Sequence, residues 1–344
     1  MARVLGERDL NRALLARQLL LERSDLAPAR VLERMGGLQA QYAPSMYVGL
    51  WTRLARFERD DLTRLLERHR VVQGWLMRTT IHLVSRRDYW PFALAVREAR
   101  RAWWLKVQRD SPTAEQFSAH AERLRARLAQ DGPMRRAGVE ELLGREAARG
   151  IGLWIDLVRA PPSGTWERRR ADLFAAAEDW IGPPKIGVDE ATERLLRRYL
   201  AAFGPATRAD AASWSGLSRP AVDAALDRLR LRRLAGAKGA ELLDVPRAPL
   251  PDPDTPAPVR FLGTWDAVLL AHARRTGILP EEHRPRIFSS RHPQSFPTFL
   301  VDGRVAGTWR HADGRIELEP FGRLDAATRR SLRAEAEGLR ALHA

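Results

Sequence analysis

The sequence predicts an α+β fold in which three tandem winged helices precede a β domain that ends in a helix. Amphipathic helical stretches are followed three times by short runs that read as strands, rich in β-branched, aromatic or leucine residues. Six prolines (246, 249, 251, 253, 256 and 258) stiffen residues 246–258 into an extended linker. Beyond it, short strand-like runs are separated by Asp302-Gly303 and Asp313-Gly314, which are strong hairpin signals. The expected units are residues 1–105, 106–185 and 186–245, then the linker 246–258 and the β domain 259–344.

In the first unit, residues 8–21 place Leu10, Leu14 and Leu21 on one helical stripe. Val31, Leu32, Met35 and Leu38 form the apolar face of a second helix, with Pro28 suited to its first turn. Pro44 opens a third helix, and Asp60 or Asp61 can cap a fourth that ends near His69. From Val71 the pattern alternates through Gln73, Trp75, Met77, Thr79, Ile81 and Leu83, which predicts a hairpin turning near residues 77–80.

The second unit has a helix over 114–128 and a shorter one over 139–149. Its wing is expected from an extended stretch at 152–158 and a partner at 165–170, with Pro161-Pro162-Ser163-Gly164 as the turn. Arg168, Arg169 and Arg170 would then put a basic strand where phosphate contact suits it, although such a run is also an ordinary solvated surface.

The third unit carries the plainest signals. A helix over 190–203 stops at Gly204-Pro205. A short helix over 207–215 and the glycine turn at Gly216 then make a helix-turn-helix. Ser218 caps the next helix, which holds the recognition position through Val222, Ala225, Leu226 and Leu229. Leu234 and Leu242-Leu243 supply its wing. After the linker, strands are expected at 259–262, 287–288, 298–301, 304–310 and 315–320, and a helix at 326–342.

The net charge is +15, and all of the 58 basic residues except Lys106, Lys185 and Lys238 are arginine. A GC-rich coding bias explains the preference for arginine over lysine. It does not explain 58 basic residues against 43 acidic ones, an imbalance that points to a polyanion partner. Cysteine is absent, which excludes disulfides, thiolate catalysis and cysteine-based zinc sites. No apolar run approaches the roughly 20 residues of a membrane span, and residues 1–9 lack the apolar core of a signal peptide. The expectation is a cytoplasmic, nucleoid-associated protein that needs no metal and no cofactor.

Gly36-Gly37-Leu38-Gln39-Ala40-Gln41-Tyr42 is the stretch with chemical content. Gln39 and Gln41 lie two apart, so both project to one side if the segment is extended. Each amide offers one carbonyl acceptor and two N–H donors, enough to hold a water or read a base edge. An ordinary solvated loop could carry the same pair, so the spacing alone decides little.

Its company decides more. Gly37-Leu38-Gln39-Ala40-Gln41-Tyr42-Ala43-Pro44-Ser45 is followed by Val48-Gly49-Leu50-Trp51-Thr52-Arg53-Leu54 and by Met77-Arg78-Thr79-Thr80-Ile81-His82-Leu83-Val84. Further on come Phe261-Leu262-Gly263-Thr264-Trp265-Asp266 and Pro297-Thr298-Phe299-Leu300-Val301-Asp302-Gly303. In this order the set resembles the AlkZ-type (YcaQ-related) bacterial DNA glycosylases over nearly the whole chain. The resemblance implies tandem winged helices and a barrel-like C-terminal β domain, C-shaped around a basic channel. It makes Gln39 and Gln41 the catalytic pair. A sister branch carries Asp at the second place, and Gln41 puts this chain with the Gln-apolar-Gln branch.

The chemistry agrees with that reading. Alkylation at N7 gives guanine a positive charge, so it departs as a neutral base and asks mainly for a placed water and stabilised oxocarbenium character. Two neutral amides suffice for that lesion, whereas uracil or a neutral oxidised base needs more. The substrate expected is double-stranded DNA containing alkylated guanine, with bulky natural-product adducts or interstrand crosslinks possible on resemblance alone. No lysine lies near the motif, so a Schiff-base lyase step is not expected. Arg78, Thr79, Thr80 and His82 are candidate DNA-facing residues, although a lone histidine is more often structural. Arg291, His292, Gln294 and Ser295 resemble the hairpin that family members push toward the lesion. A monomer is expected. The rival readings are a winged-helix transcriptional regulator and a non-catalytic DNA-binding protein, because fold does not decide function.

Overall fold

A computed structural model describes residues 4–108, 111–272, 276–288 and 295–344. The first elements are β1 (Val4–Leu5), α1 (Glu7–Arg17), α2 (Pro28–Met35), β2 (Leu38–Gln39), α3 (Ala43–Trp51) and α4 (Arg59–Glu67). Pro28 sits in the first turn of α2, and Gly36 ends it in the left-handed conformation (φ 77°) that a side chain disfavours. The cap of α4 is Glu58, whose N–H donates to Asp61 Oδ2 at 2.9 Å, so the expected Asp60 or Asp61 cap falls two or three residues late. The hairpin comes as expected, with β3 (Val71–Trp75) and β4 (Ile81–Ser85) in register from Val71–Ser85 to Trp75–Ile81.

Next is a 22-residue helix, α5 (Arg86–Val107), with Pro91 in its interior. Proline cannot donate to the carbonyl of Arg87 four residues back. Arg194 satisfies that carbonyl instead, through Nη2 at 3.1 Å. The following elements are α6 (Ala114–Asp131), β5 (Met134–Arg135), α7 (Arg136–Leu143), α8 (Arg145–Gly150), β6 (Leu157–Arg159), β7 (Leu173–Ala176) and α9 (Ala177–Ile181). The wing expected at 152–158 and 165–170 is displaced. Residues 151–153 are a 3₁₀ turn, 165–170 carry no strand, and β6 pairs with β7. Arg168, Arg169 and Arg170 therefore lie on a loop. Strands of the first two segments share one six-stranded sheet, in the order β2-β4-β3-β6-β7-β5.

The third segment has α10 (Val188–Phe203), α11 (Arg208–Ser215), α12 (Arg219–Asp227), β8 (Arg232–Gly236) and β9 (Glu241–Asp244). Gly216 makes the turn at φ 78°, and Ser218 Oγ accepts from the Ala221 N–H at the head of α12. β1 adds to β8 in parallel, a pairing that no local pattern announces. Residues 246–258 carry no helix or strand.

The C-terminal segment holds β10 (Arg260–Leu262), α13 (Arg284–Ile287), β11 (Thr298–Val301), β12 (Arg304–Ala312), β13 (Arg315–Pro320) and α14 (Ala326–His343). Residue 287 ends a short helix, which corrects the strand expected at 287–288. Asp302-Gly303 and Asp313-Gly314 are tight turns with both residues at positive φ, as their sequence demands. The four strands run β10-β11-β12-β13 and do not close on themselves among the described residues. The domain is an open sheet packed by α14, and the barrel-like expectation is corrected. Three pairings cannot close a ring of four strands when β10 and β13 each have one neighbour.

Two buried ion pairs tie the segments together. Arg17 reaches Asp244 at 2.7 Å, and Arg53 reaches Asp266 at 2.7 Å. Around them lies one apolar core that runs from Leu14 and Met35 through Leu195 and Tyr199 to Phe261 and Leu339.

Candidate functional site

The site is built where β2 meets β4. Gln39 stands opposite His82 in that antiparallel pair, so the two side chains share one face of the sheet. Ala40, between the two glutamines, is pinned from both sides. Its N–H donates to the Ile81 carbonyl at 2.7 Å, and its own carbonyl accepts from Arg159 Nη1 at 2.9 Å. Arg159 also reaches Gln73 Oε1 at 3.3 Å, and burial pushes its guanidinium down to about 10. It still carries its charge at neutral pH.

The glutamine amides are oriented by elimination. Arg78 can only donate, and its Nη2 lies 3.3 Å from Gln39 Oε1. That fixes the Gln39 oxygen on the Arg78 side and turns Nε2 toward Gln41, whose Oε1 accepts at 2.6 Å. Gln39 is buried, at 7 % exposure, while Gln41 is exposed. Gln41 thus presents its NH₂ group and a second lone pair on Oε1 to the outside. One amide is the buried support and the other is the exposed end of the pair.

Arg78 is held by an unusual turn. Arg78 and Thr79 at the tip of the β3–β4 hairpin both have positive φ, at 53° and 55°. For threonine this is strained backbone, costing on the order of 1–3 kcal/mol. Thr79 Oγ1 donates to the Arg78 carbonyl at 2.6 Å and Thr80 Oγ1 to the Met77 carbonyl at 3.1 Å, which stiffen the tip. Arg78 Nη1 donates to the Trp214 carbonyl at the end of α11. Gly216 lies against this turn, where a Cβ would come within 3.4 Å of the Arg78 nitrogen. The helix-turn-helix of the third segment therefore braces the arginine that orients Gln39.

His82 is buried, and its Nδ1–H donates to the Thr80 carbonyl at 3.1 Å. Burial, with the nearby charge of Arg78, lowers the ring to about 3, against the Thr80 hydrogen bond, which raises it. The imidazole is neutral at physiological pH, with Nε2 as acceptor, and cannot serve as a general acid. Between pH 6.5 and about 3 the unfolded chain binds this proton and the folded chain does not. Stability is therefore lost as pH falls through that window, at up to about 1.4 kcal/mol per pH unit. Replacing His82 by Gln should flatten the decline of the urea midpoint between pH 6.5 and 4.5. Equal slopes in the two proteins would show that the ring is protonated in place.

Of Arg78, Thr79, Thr80 and His82, Arg78 bonds Gln39 and His82 stands opposite it, while Thr79 and Thr80 bond carbonyls of their own turn. Ser295 is elsewhere: its Oγ accepts from the Trp265 N–H at 2.7 Å, and the residue is buried. Arg291, His292 and Gln294 lie outside the described residues. Arg159, Gln73 and the Trp214 carbonyl are parts of the site that sequence reasoning missed, because only the fold brings them to Ala40 and Arg78. Among the described residues no group of three His, Asp or Glu could hold a metal ion, and no helix is long and apolar enough to cross a membrane.

Comparison with known proteins bears on the fold and the family. A solved Streptomyces sahachiroi DNA glycosylase AlkZ superposes with a TM-score of 0.83 at 22% identity, covering 99% of this chain and 98% of that one. An interstrand DNA cross-link repair glycosylase of Streptomyces sahachiroi is 25% identical over 341 residues, 89% of this chain and 88% of its own length. The family model described as DNA glycosylase AlkZ-like matches residues 32–342, which include both glutamines, the hairpin and the C-terminal sheet. The chain belongs to the AlkZ-like DNA glycosylase family and is a DNA glycosylase.

Proposed function

We propose that this glycosylase hydrolyses the N-glycosidic bond of N7-alkylguanine in double-stranded DNA, with Gln39 and Gln41 placing the water. The observation that carries the reading is the Gln39–Gln41 amide couple, fixed by Arg78 and with no carboxylate bonded to it among the described residues. Gln41 Oε1 can accept from a water while its NH₂ donates to the same or a second one. Such a pair positions a nucleophile but adds no negative charge against the developing oxocarbenium ion. Arg78 would even oppose that ion. The substrate must therefore supply a good leaving group, and the DNA phosphates must supply counter-charge. A cationic N7-alkylguanine meets the first requirement, and a normal base does not.

No lysine amine enters the couple's hydrogen bonds, so the product is an intact abasic site. The cross-link repair named for the Streptomyces relative extends the reading to bulky adducts and interstrand crosslinks. The enzyme acts as a monomer, because its asymmetry lies within one chain. The deciding experiment is incubation with a duplex carrying N7-methylguanine, followed by hot alkali. Strand breaks at the lesion are expected, and an intact strand would remove the substrate assignment.

Binding should show the basic surface. Arg34, Arg87 and Arg247 line one cleft, and none has an ion pair among the described residues. Such uncompensated arginines suit phosphate contact and counterion release. The affinity for undamaged duplex is expected to fall about 10-fold or more between 50 and 200 mM salt. A flat plot of log affinity against log salt would show that the charge plays no part in holding DNA.

A further inference from the structure

We propose that the cavity beside Tyr42 is a phosphodiester subsite that registers the lesion strand against Gln41, with Arg169 as its cation. This rests on the excision reading above. The cavity, about 300 Å³, lies where α3, the loop before β7 and the C-terminal sheet meet. Tyr42, Ser45, Arg169, Thr264, His311 and His343 give it its polar lining. Tyr42 directly follows Gln41, and neighbouring Cα atoms are only about 3.8 Å apart. The cavity wall is thus one residue along the chain from Gln41.

Charge and hydrogen-bonding capacity select the ligand. No carboxylate lines the cavity among the described residues. Arg310 is committed to Glu317 at 2.5 Å. Arg169 has no ion pair among the described residues: its Nε reaches the Trp166 carbonyl at 3.3 Å and its Nη1 the Tyr42 hydroxyl at 3.4 Å. The guanidinium stands 5.8 Å from the centre of the Trp166 ring, which Arg59 shares at 5.2 Å. It is braced by an aromatic face, and the long bond to Tyr42 leaves donors for an anion. Ser45 and Thr264 bond to each other, which closes the floor between α3 and the sheet.

His343 Nε2 is buried with no hydrogen-bond partner among the described residues. Burial, then neighbouring His311, Arg169 and Arg59, lowers this ring to about 4, so it is neutral and adds no charge at pH 7. The ring is stacked on His311 at 4.3 Å and packs edge-on against Trp166 and Trp309. The cavity also opens on the first turn of α3, whose dipole favours an anion. A cationic alkylguanine is repelled by such a wall. A backbone phosphate of the lesion strand is drawn to it.

The test replaces single phosphates around N7-methylguanine by neutral methylphosphonates and follows single-turnover excision with enzyme in excess over duplex but below saturation. In the wild type, one position within two nucleotides of the lesion should cost about 10-fold, as for a lost charge-assisted hydrogen bond. Arg169→Ala should carry that loss already and be indifferent to the same methylphosphonate, while remaining sensitive at other positions. Tyr42→Phe, which keeps the ring, should lose about 2- to 3-fold at the same phosphate, the share of one neutral hydrogen bond. If the Arg169 and phosphate penalties multiply at every position, the subsite is overturned. Reading the same scan as duplex affinity separates the two ideas. A phosphate-specific Arg169 effect on binding without excision would remove the chemistry and keep the subsite.

Discussion

Gln39→Ala is expected to slow single-turnover excision of N7-methylguanine by about 10²- to 10³-fold, the usual scale for removing a preorganised polar group at the reacting centre. Its structural position explains the size. Gln39 accepts from Arg78 and donates to Gln41, so truncation frees the working amide and leaves Arg78 without one acceptor. Gln41→Ala removes the exposed end of the couple and should fall in the same range. The double variant should lose little more than the worse single one, because the two amides act as a unit. Duplex affinity should stay within about 2-fold, since neither amide carries the charge that phosphate contact needs. Wild-type excision in the double variant would take the chemistry away from this pair. A matched fall in affinity would make it a binding element instead.

Much of the candidate site's local geometry was legible because its signals are local. Two glutamines spaced by one residue after a glycine pair need only an extended backbone to converge, and β2 supplies it through pairing with β4. The Asp-Gly turns, the Ser218 cap and the Gly216 turn were equally readable, since each depends on a few adjacent residues. What escaped was set by distance in sequence. α5 gave no clear pattern, because Pro91 interrupts it and only Arg194, more than a hundred residues on, satisfies the freed carbonyl. Arg159 reads as one more arginine until β6 brings it to Ala40.

The misplaced wing has a similar cause. Residues 152–158 are apolar and look extended, but Ile151, Leu153 and Trp154 serve a local core against Phe117 and Leu124. The strand begins only at Leu157. An apolar run of this length cannot tell a strand from a buried turn by periodicity alone. The C-terminal sheet misled in another way. Its strands were nearly all found, yet closure into a barrel depends on where the first and last strands end up, which no local pattern encodes. Arg53 and Asp266 stand in the sequence only as members of two family-like runs, and no local pattern pairs residues so far apart.

That pair is where the largest stability effect is expected. The side chains of Arg53 and Asp266 are both 0% exposed, and the guanidinium meets the carboxylate through two bonds, of 2.7 and 2.9 Å. Arg53 also donates to the Gln18 carbonyl at 3.0 Å and the Gly49 carbonyl at 2.9 Å, and Asp266 accepts from the Val268 N–H at 3.2 Å. Asp266→Ala strands a buried cation and should cost about 3–5 kcal/mol in urea unfolding. The pair as a whole is worth less than that, because both charges were stripped of water to make it. Arg53→Met with Asp266→Leu should therefore be less damaging than Asp266→Ala alone, although the Gln18 and Gly49 carbonyls then lose their donor. The exposed Arg219–Asp223 pair on α12, at 2.8 Å, is the control and should yield far less, because solvent screens it. If Asp266→Ala matches that control, water reaches Arg53 and the junction between α3 and the C-terminal sheet is open. A large loss in Asp266→Ala, partly recovered in the double variant, would establish this ion pair as the dry joint that holds Thr264 and the cavity wall against α3.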